Sequence, residues 1–141
     1  MPVHLPPDLN QTRAVCIEAA SARYQVPAAL IRAVIRQENG CGKRGATNKN
    51  GTTDLGCMQI NSSHLPWLRG YGITATLVQN DDCLNIQLGA YLLRRSLDAG
   101  PDFWRGVGGY NSGTYSAKKE AVNKHYRMQV WDHLVNIWQG R

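Results

Sequence analysis

The sequence predicts an α+β fold, mostly α-helical, as a single domain over residues 8–141 with a small β-hairpin insert near residues 46–60. Three observations lead there. Apolar residues recur at helical spacing in successive stretches, each bounded by start and stop signals. Residues 40–56 break that pattern with five Gly, two Asn and three Thr. The length of 141 residues, 43% hydrophobic and 18% charged, suits one core in a globular domain.

The first helix is expected to start near Asp8, which forms a capping box with Gln11. It runs through "LNQTRAVCIEAASARYQ", with Ala14, Cys16, Ile17 and Ala20 on one face. In "VPAALIRAVIRQENG", Pro27 suits the first helical position and Gly40 the stop. Leu30, Ile31, Val34 and Ile35 make its buried stripe. The Asn50-Gly51 pair signals a tight hairpin turn, which puts Asp54 on the second strand. "SSHLPWLRGYG" reads as a short helix ended by Gly70 or Gly72. "DDCLNIQLGAYLLRRSLDAG" reads as a longer one, capped by Asp81 or Asp82, with core from Leu84, Ile86, Leu88, Tyr91 and Leu92. "PDFWRGVGGYNSG" opens a helix at Pro101 and ends in a Gly-rich turn. The last helix, "SAKKEAVNKHYRMQVWDHLVNIWQ", carries Tyr126, Val130, Leu134 and Ile137 at near-helical spacing.

The net charge of +6 favours polyanions: nucleic acid, anionic lipid or a carboxylate-bearing cell wall. No Lys/Arg block supports nucleic acid, and "SAKKEAVNKHYR" reads as a solvated helix face. No stretch approaches the roughly 18 apolar residues of a membrane span. The opening "MPVHLPPDLN" lacks the basic and apolar regions of a signal peptide, so an exported form is expected to be a mature one with an added Met1. Cys16, Cys41, Cys57 and Cys83 lack zinc-ligand spacing. They allow three disulfide pairings, which would indicate an oxidising compartment, or four buried thiols. His4, His64, His125 and His133 form no metal or nucleophile pattern, so no metal and no cofactor is implied.

Two acids stand out. Glu38 falls four residues after Val34 and three after Ile35, on the buried side of the last turn of its helix. The helix dipole and desolvation both disfavour an anion there and raise the carboxyl pKa, as a general acid requires. An outward-facing, solvated Glu38 is the alternative. Asp54 lies in the turn-rich segment and is followed by "GCMQIN" at 56–61 and "GYNSG" at 109–113.

Glu38 closing a helix, "GCMQIN" and the later Tyr-Asn segment, in this order, resemble the lysozyme-like superfamily. The chain is similar in particular to lytic transglycosylases with a soluble-lytic-transglycosylase domain, from about Cys16 to Tyr115. "NGTTDLGCMQIN" looks most like the small members that accompany type III and type IV secretion, conjugation and pilus systems. It also looks like C-type lysozyme, whose Asn-rich hairpin carries a second catalytic Asp. The resemblance implies a lysozyme-like fold, Glu38 as catalytic acid, and Gln59 and Asn61 on the cleft floor, both on one side if the strand continues. Asn61 is also expected to cap the helix that follows. Met58 lines the sugar site or fills core. Tyr110 is expected to approach Glu38, and Asn111 to touch substrate or hold the turn. Asp54 either faces Glu38 across the cleft or caps the hairpin through backbone N–H groups. For Trp67, Trp104, Trp131 and Trp138, buried core is expected for most, with sugar stacking as the alternative.

Cys16 and Cys83 resemble positions that pair in the secretion-associated relatives, which leaves Cys41 with Cys57. That second bridge would close a 16-residue loop, worth about 3 kcal/mol on chain-entropy grounds. The implied activity is cleavage of peptidoglycan between N-acetylmuramic acid and N-acetylglucosamine with a 1,6-anhydro product, by a periplasmic or exported monomer. The competing readings are a muramidase that hydrolyses the same bond and a non-catalytic glycan-binding component of a secretion apparatus. The implied partners are glycan strands and secretion, conjugation or pilus proteins, without nucleic acid or a membrane span.

Overall fold

The computed structural model describes residues 9–141, so His4 and the Asp8 cap lie outside the described residues. In chain order it has α1 (Leu9–Tyr24), α2 (Ala28–Glu38), β1 (Asp54–Leu55), β2 (Ile60–Asn61) and α3 (Leu65–Arg69). Then come α4 (Ala75–Asn80), α5 (Asp82–Ala99), α6 (Phe103–Ser112) and α7 (Glu120–Trp138). The architecture is the predicted one, mostly helical with one small antiparallel sheet. α5 packs between α1 and α6, and α7 packs against α2 and α6. Among the described residues, no helix is long and apolar enough to cross a membrane.

α2 begins one residue later than expected. Pro27 is its cap, and the Pro27 carbonyl accepts from the N–H groups of Leu30 and Ile31. The helix also stops before Gly40. Asn39 takes the left-handed conformation at φ 51° and ψ 39°, and its N–H closes on the Ile35 carbonyl at 2.9 Å. Gly40 serves another purpose. A Cβ there would run into the Gln59 side chain and the Gly56 carbonyl, so this glycine lets the 56–59 turn lie against the end of α2.

The Asn50-Gly51 turn is present, closed by Gly51 N–H donating to Asn48 O at 2.9 Å and by a single Thr47–Thr53 bridge. The regular pairing follows it. β1 and β2 run antiparallel with Asp54 opposite Asn61 and Leu55 opposite Ile60. Asp54 therefore lies on the second arm of the Asn-Gly turn and also begins the sheet.

Three expectations change in the helical part. α4 lies in residues not assigned to any element, capped by Thr74 and anchored by buried Val78. On α5, only Ile86 of the five expected core residues is fully buried; the stripe is Ile86, Ala90, Leu93 and Leu97. The expected Gly-rich turn is helical. A side chain at Gly106 would meet the backbone of Leu97 on α5, and one at Gly108 the side chain of Asn123 on α7. Glycine here costs roughly 1 kcal/mol of helix propensity per residue, and close packing of α6 between its neighbours offsets it. The tryptophans also depart from expectation. Trp67, Trp131 and Trp138 are exposed and Trp104 is half-buried.

Asn85 ties the sheet to the helices. It is fully buried, donates to Leu55 O at 2.7 Å and Val78 O at 2.9 Å, and accepts from Met58 N–H at 2.8 Å. Asn85→Ala removes three buried hydrogen bonds, each worth about 1 kcal/mol or more. We expect a loss of about 3 kcal/mol and a fall in Tm on the order of 10 °C in thermal denaturation. An unchanged Tm would show that the turn is held by other contacts.

Candidate active site

Glu38 is the last residue of α2 and sits half-buried on the wall of a cleft of about 720 Å³. That volume is in the range of small-ligand sites. Asp54 lines the same cleft from β1, and the opposite side is lined by Arg95, Arg105 and Tyr110 from helices and Tyr115 from the loop after α6. The structure thus brings the two acids to one cavity.

The Glu38 carboxyl is raised from 4.5 to about 7. Burial is the largest cause, as its place on the apolar side of α2 predicts, and the negative charge of Asp54 adds to it. The opposing contribution is one hydrogen bond: the Tyr126 hydroxyl donates to Glu38 Oε2 at 2.9 Å. Close to neutral pH, comparable fractions of Glu38 are protonated and ionised, which suits a group that gives and then takes a proton.

Asp54 is gripped by side-chain amides. Asn48 Nδ2 donates to Oδ2 at 3.1 Å and Asn61 Nδ2 to Oδ1 at 3.0 Å. Among the described residues no backbone N–H donates to this carboxylate, so it does not cap the hairpin in the alternative way considered above. Thr52 Oγ1 accepts from both asparagine amides, which completes a small polar cluster behind Asp54.

The other predicted site residues divide. Gln59 lines the cleft but stands in the turn before β2, at φ 52°, with Nε2 donating to Gly56 O at 2.8 Å. The strand does not extend to it, so the expected alternation with Asn61 does not arise. Asn61 lines the cleft and caps the Ser62–His64 3₁₀ turn by accepting from Ser63 N–H. Met58 is fully buried against α5 and lines no part of the cleft. Tyr110 lines the cleft, but its hydroxyl donates to Met58 O at 2.6 Å and not to Glu38. Burial, then the charges of Glu38 and Asp54, raise its pKa. Asn111 is exposed on the cleft wall, within α6 and not in a turn.

Sequence reasoning read Tyr126 as core. Its one available signal was that a buried tyrosine hydroxyl needs a partner. Asn48 gave no separate signal within a turn-rich run. Both expected disulfides are present: Cys16–Cys83, implied by the resemblance, joins α1 to α5, and Cys41–Cys57, the remaining pair, joins the end of α2 to the turn between the strands. The second links the segments that carry the two acids.

The raised carboxyl has a consequence for stability. A folded-state value of about 7 against 4.5 means that ionising Glu38 costs stability as pH rises from about 4.5 through 7. Glu38→Gln escapes that cost. We expect it to exceed the parent by on the order of 2–3 kcal/mol above pH 7 and to match it near pH 4, in denaturant titrations at the two pH values. A gain that is the same at both would contradict the assignment.

A family profile described as "Transglycosylase SLT domain" matches residues 15–132. The chain is 34% identical over 131 residues to "Invasion protein IagB" of Salmonella typhimurium, covering 92% of this chain and 81% of that protein. It is 36% identical over 126 residues to "Protein IpgF" of Shigella flexneri, covering 89% and 82%. It is 31% identical over 127 residues to an Escherichia coli "X polypeptide", covering 89% and 73%. The acid-lined cleft therefore sits in a lysozyme-like fold, and the chain belongs to the SLT transglycosylase domain family.

Proposed function

We propose that the chain, as a single domain over 8–141, is a peptidoglycan lytic transglycosylase that cuts the β-1,4 bond between N-acetylmuramic acid and N-acetylglucosamine. The observation that carries this reading is the Glu38 carboxyl, raised to about 7 on the wall of an open cleft. In the first step Glu38 gives its proton to the bridging oxygen as the C1–O4 bond breaks. The ionised Glu38 then takes the proton of the muramyl C6 hydroxyl, whose oxygen bonds to C1 and closes the 1,6-anhydro ring. No water is consumed, and the internal nucleophile is already positioned. Asp54, fixed by its two amides, stabilises the positive charge that develops at C1. Gln59, Asn61 and Asn111 offer polar groups to the sugars, while Met58 acts through its carbonyl by holding Tyr110.

Two disulfides suit an oxidising compartment such as the periplasm. A relative carrying the name "Invasion protein" supports local opening of the wall for an envelope-spanning secretion, conjugation or pilus machine.

Digestion of purified peptidoglycan followed by mass spectrometry of the muropeptides tests the reaction. We expect anhydro-muramyl ends, lighter by one water than hydrolysed ends, and a loss of about 10²–10⁴-fold in rate for Glu38→Gln. Dominant reducing muramyl ends would instead identify a muramidase using both carboxylates. Equal rates for parent and Glu38→Gln would remove Glu38 from the chemistry.

A further inference from the structure

The cleft does not end at the two acids. His64 and Arg95, both on its lining, connect it to a cluster of aromatic rings outside. Trp67 Nε1 donates to His64 Nδ1 at 3.1 Å, and the two rings meet edge to face at 5.9 Å. Trp67 in turn contacts Tyr71 at 6.5 Å and Tyr91 at 6.1 Å between ring centroids. Trp67 is 37% exposed and Tyr71 78% exposed, so both residues are accessible from solvent. The hydrogen bond to His64 fixes the Trp67 ring, so little side-chain freedom remains to be lost on binding.

Arg95 stands where this cluster meets the cleft. Its guanidinium lies 5.8 Å from the Tyr91 ring centroid, and its charge is felt at His64, whose pKa burial and Arg95 together lower. Among the described residues no carboxylate pairs with Arg95. The other cleft arginine differs. Arg105 is engaged by Asp102 at 2.6 Å and Glu120 at 3.4 Å, so its charge is already answered. Arg95 is thus a guanidinium on the cleft wall, backed by an aromatic ring and available to an anion.

We propose that Trp67, Tyr71 and Arg95 form a distal subsite for a glycan strand bearing peptide stems: the rings stack on a sugar and Arg95 pairs with a stem carboxylate. This rests on the peptidoglycan reading above and adds to it a preference for stem-bearing over bare strands. Contact with the cleft lining selects this aromatic cluster over the other exposed one: Trp67 meets His64 and Tyr91 meets Arg95, both on the cavity wall, whereas the ring contacts of Phe103, Trp104, Trp131 and Trp138 run among themselves. A planar guanidinium matches a carboxylate in geometry as well as charge.

The test measures binding of purified peptidoglycan strands, either carrying their stems or stripped by an amidase, to Glu38→Gln protein, in which strands survive. Trp67→Ala, and independently Tyr71→Ala, should weaken both strand types by about five- to tenfold through lost apolar contact. Arg95→Gln should weaken only stem-bearing strands, by about fivefold, and erase their advantage, with the loss shrinking at high salt. Trp138→Ala, outside the subsite, should bind as the parent does. Melting curves confirm that each variant is folded; should Trp67→Ala unfold, Tyr71→Ala carries the stacking test. Unchanged affinities for Tyr71→Ala and Arg95→Gln, an Arg95→Gln loss equal on both strand types, or an equal loss in Trp138→Ala would overturn the proposal. Wall cleavage by the parent is scored separately. Cleavage without these losses removes the subsite alone, and these losses without cleavage remove the enzymatic reading alone.

Discussion

Glu38 is a carboxyl group held partly out of water at the carbonyl end of a helix, with a tyrosine hydroxyl and a second carboxylate as its polar surroundings. Among the described residues no cation forms an ion pair with it. Burial without a neutralising charge is what moves a carboxyl toward neutral pH, and the surrounding structure keeps it so. α7 supplies the Tyr126 hydroxyl, which pulls the other way and limits the shift. The sheet supplies Asp54, whose charge pushes it further. The site is a balance between one hydrogen bond and two unfavourable influences on the anion, set by three elements far apart in the chain.

Holding that balance requires the hairpin to stay against α2. Three unlike devices do so at one place. The Cys41–Cys57 bridge ties the chain after Glu38 to the turn between the strands. Gly40 lets that turn come within contact of the helix end. Asn85 takes three hydrogen bonds from the turn, β1 and α4 into the buried layer. Asp54 is then oriented locally by Asn48 and Asn61, on the two stretches of backbone that flank it. The covalent and buried contacts set where the hairpin lies, and the amide pair sets where its carboxylate points.

What the sequence disclosed follows from the range of each interaction. Glu38 was legible because its position depends on α2 alone: a 3.6-residue period places it under Val34 and Ile35. Asp54 was legible as a hairpin residue from the Asn-Gly turn beside it. Tyr126 was not, because periodicity tells which face of α7 is buried and not what it is buried against, and Glu38 is 88 residues away. Gly106 and Gly108 misled for a related reason. Local preference makes a glycine cluster a turn, while the approach of α5 and α7 to α6 makes it a helix. On α5 the expected core took Leu88, Tyr91 and Leu92 and missed the buried Leu93 and Leu97 beside them, along with Ala90, which is small, and Asn85, which is polar.

One titration decides whether Glu38 is held out of water beside Asp54. Carbon-13 NMR of the Glu38 side-chain carboxyl, followed against pH, reports its protonation directly. The structure predicts a midpoint near 7, lowered when Asp54 is replaced by Asn because a like charge has been removed. A midpoint near the ordinary 4.5, unmoved by Asp54→Asn, would mean that Glu38 is solvated and uncoupled from Asp54, and would contradict the account.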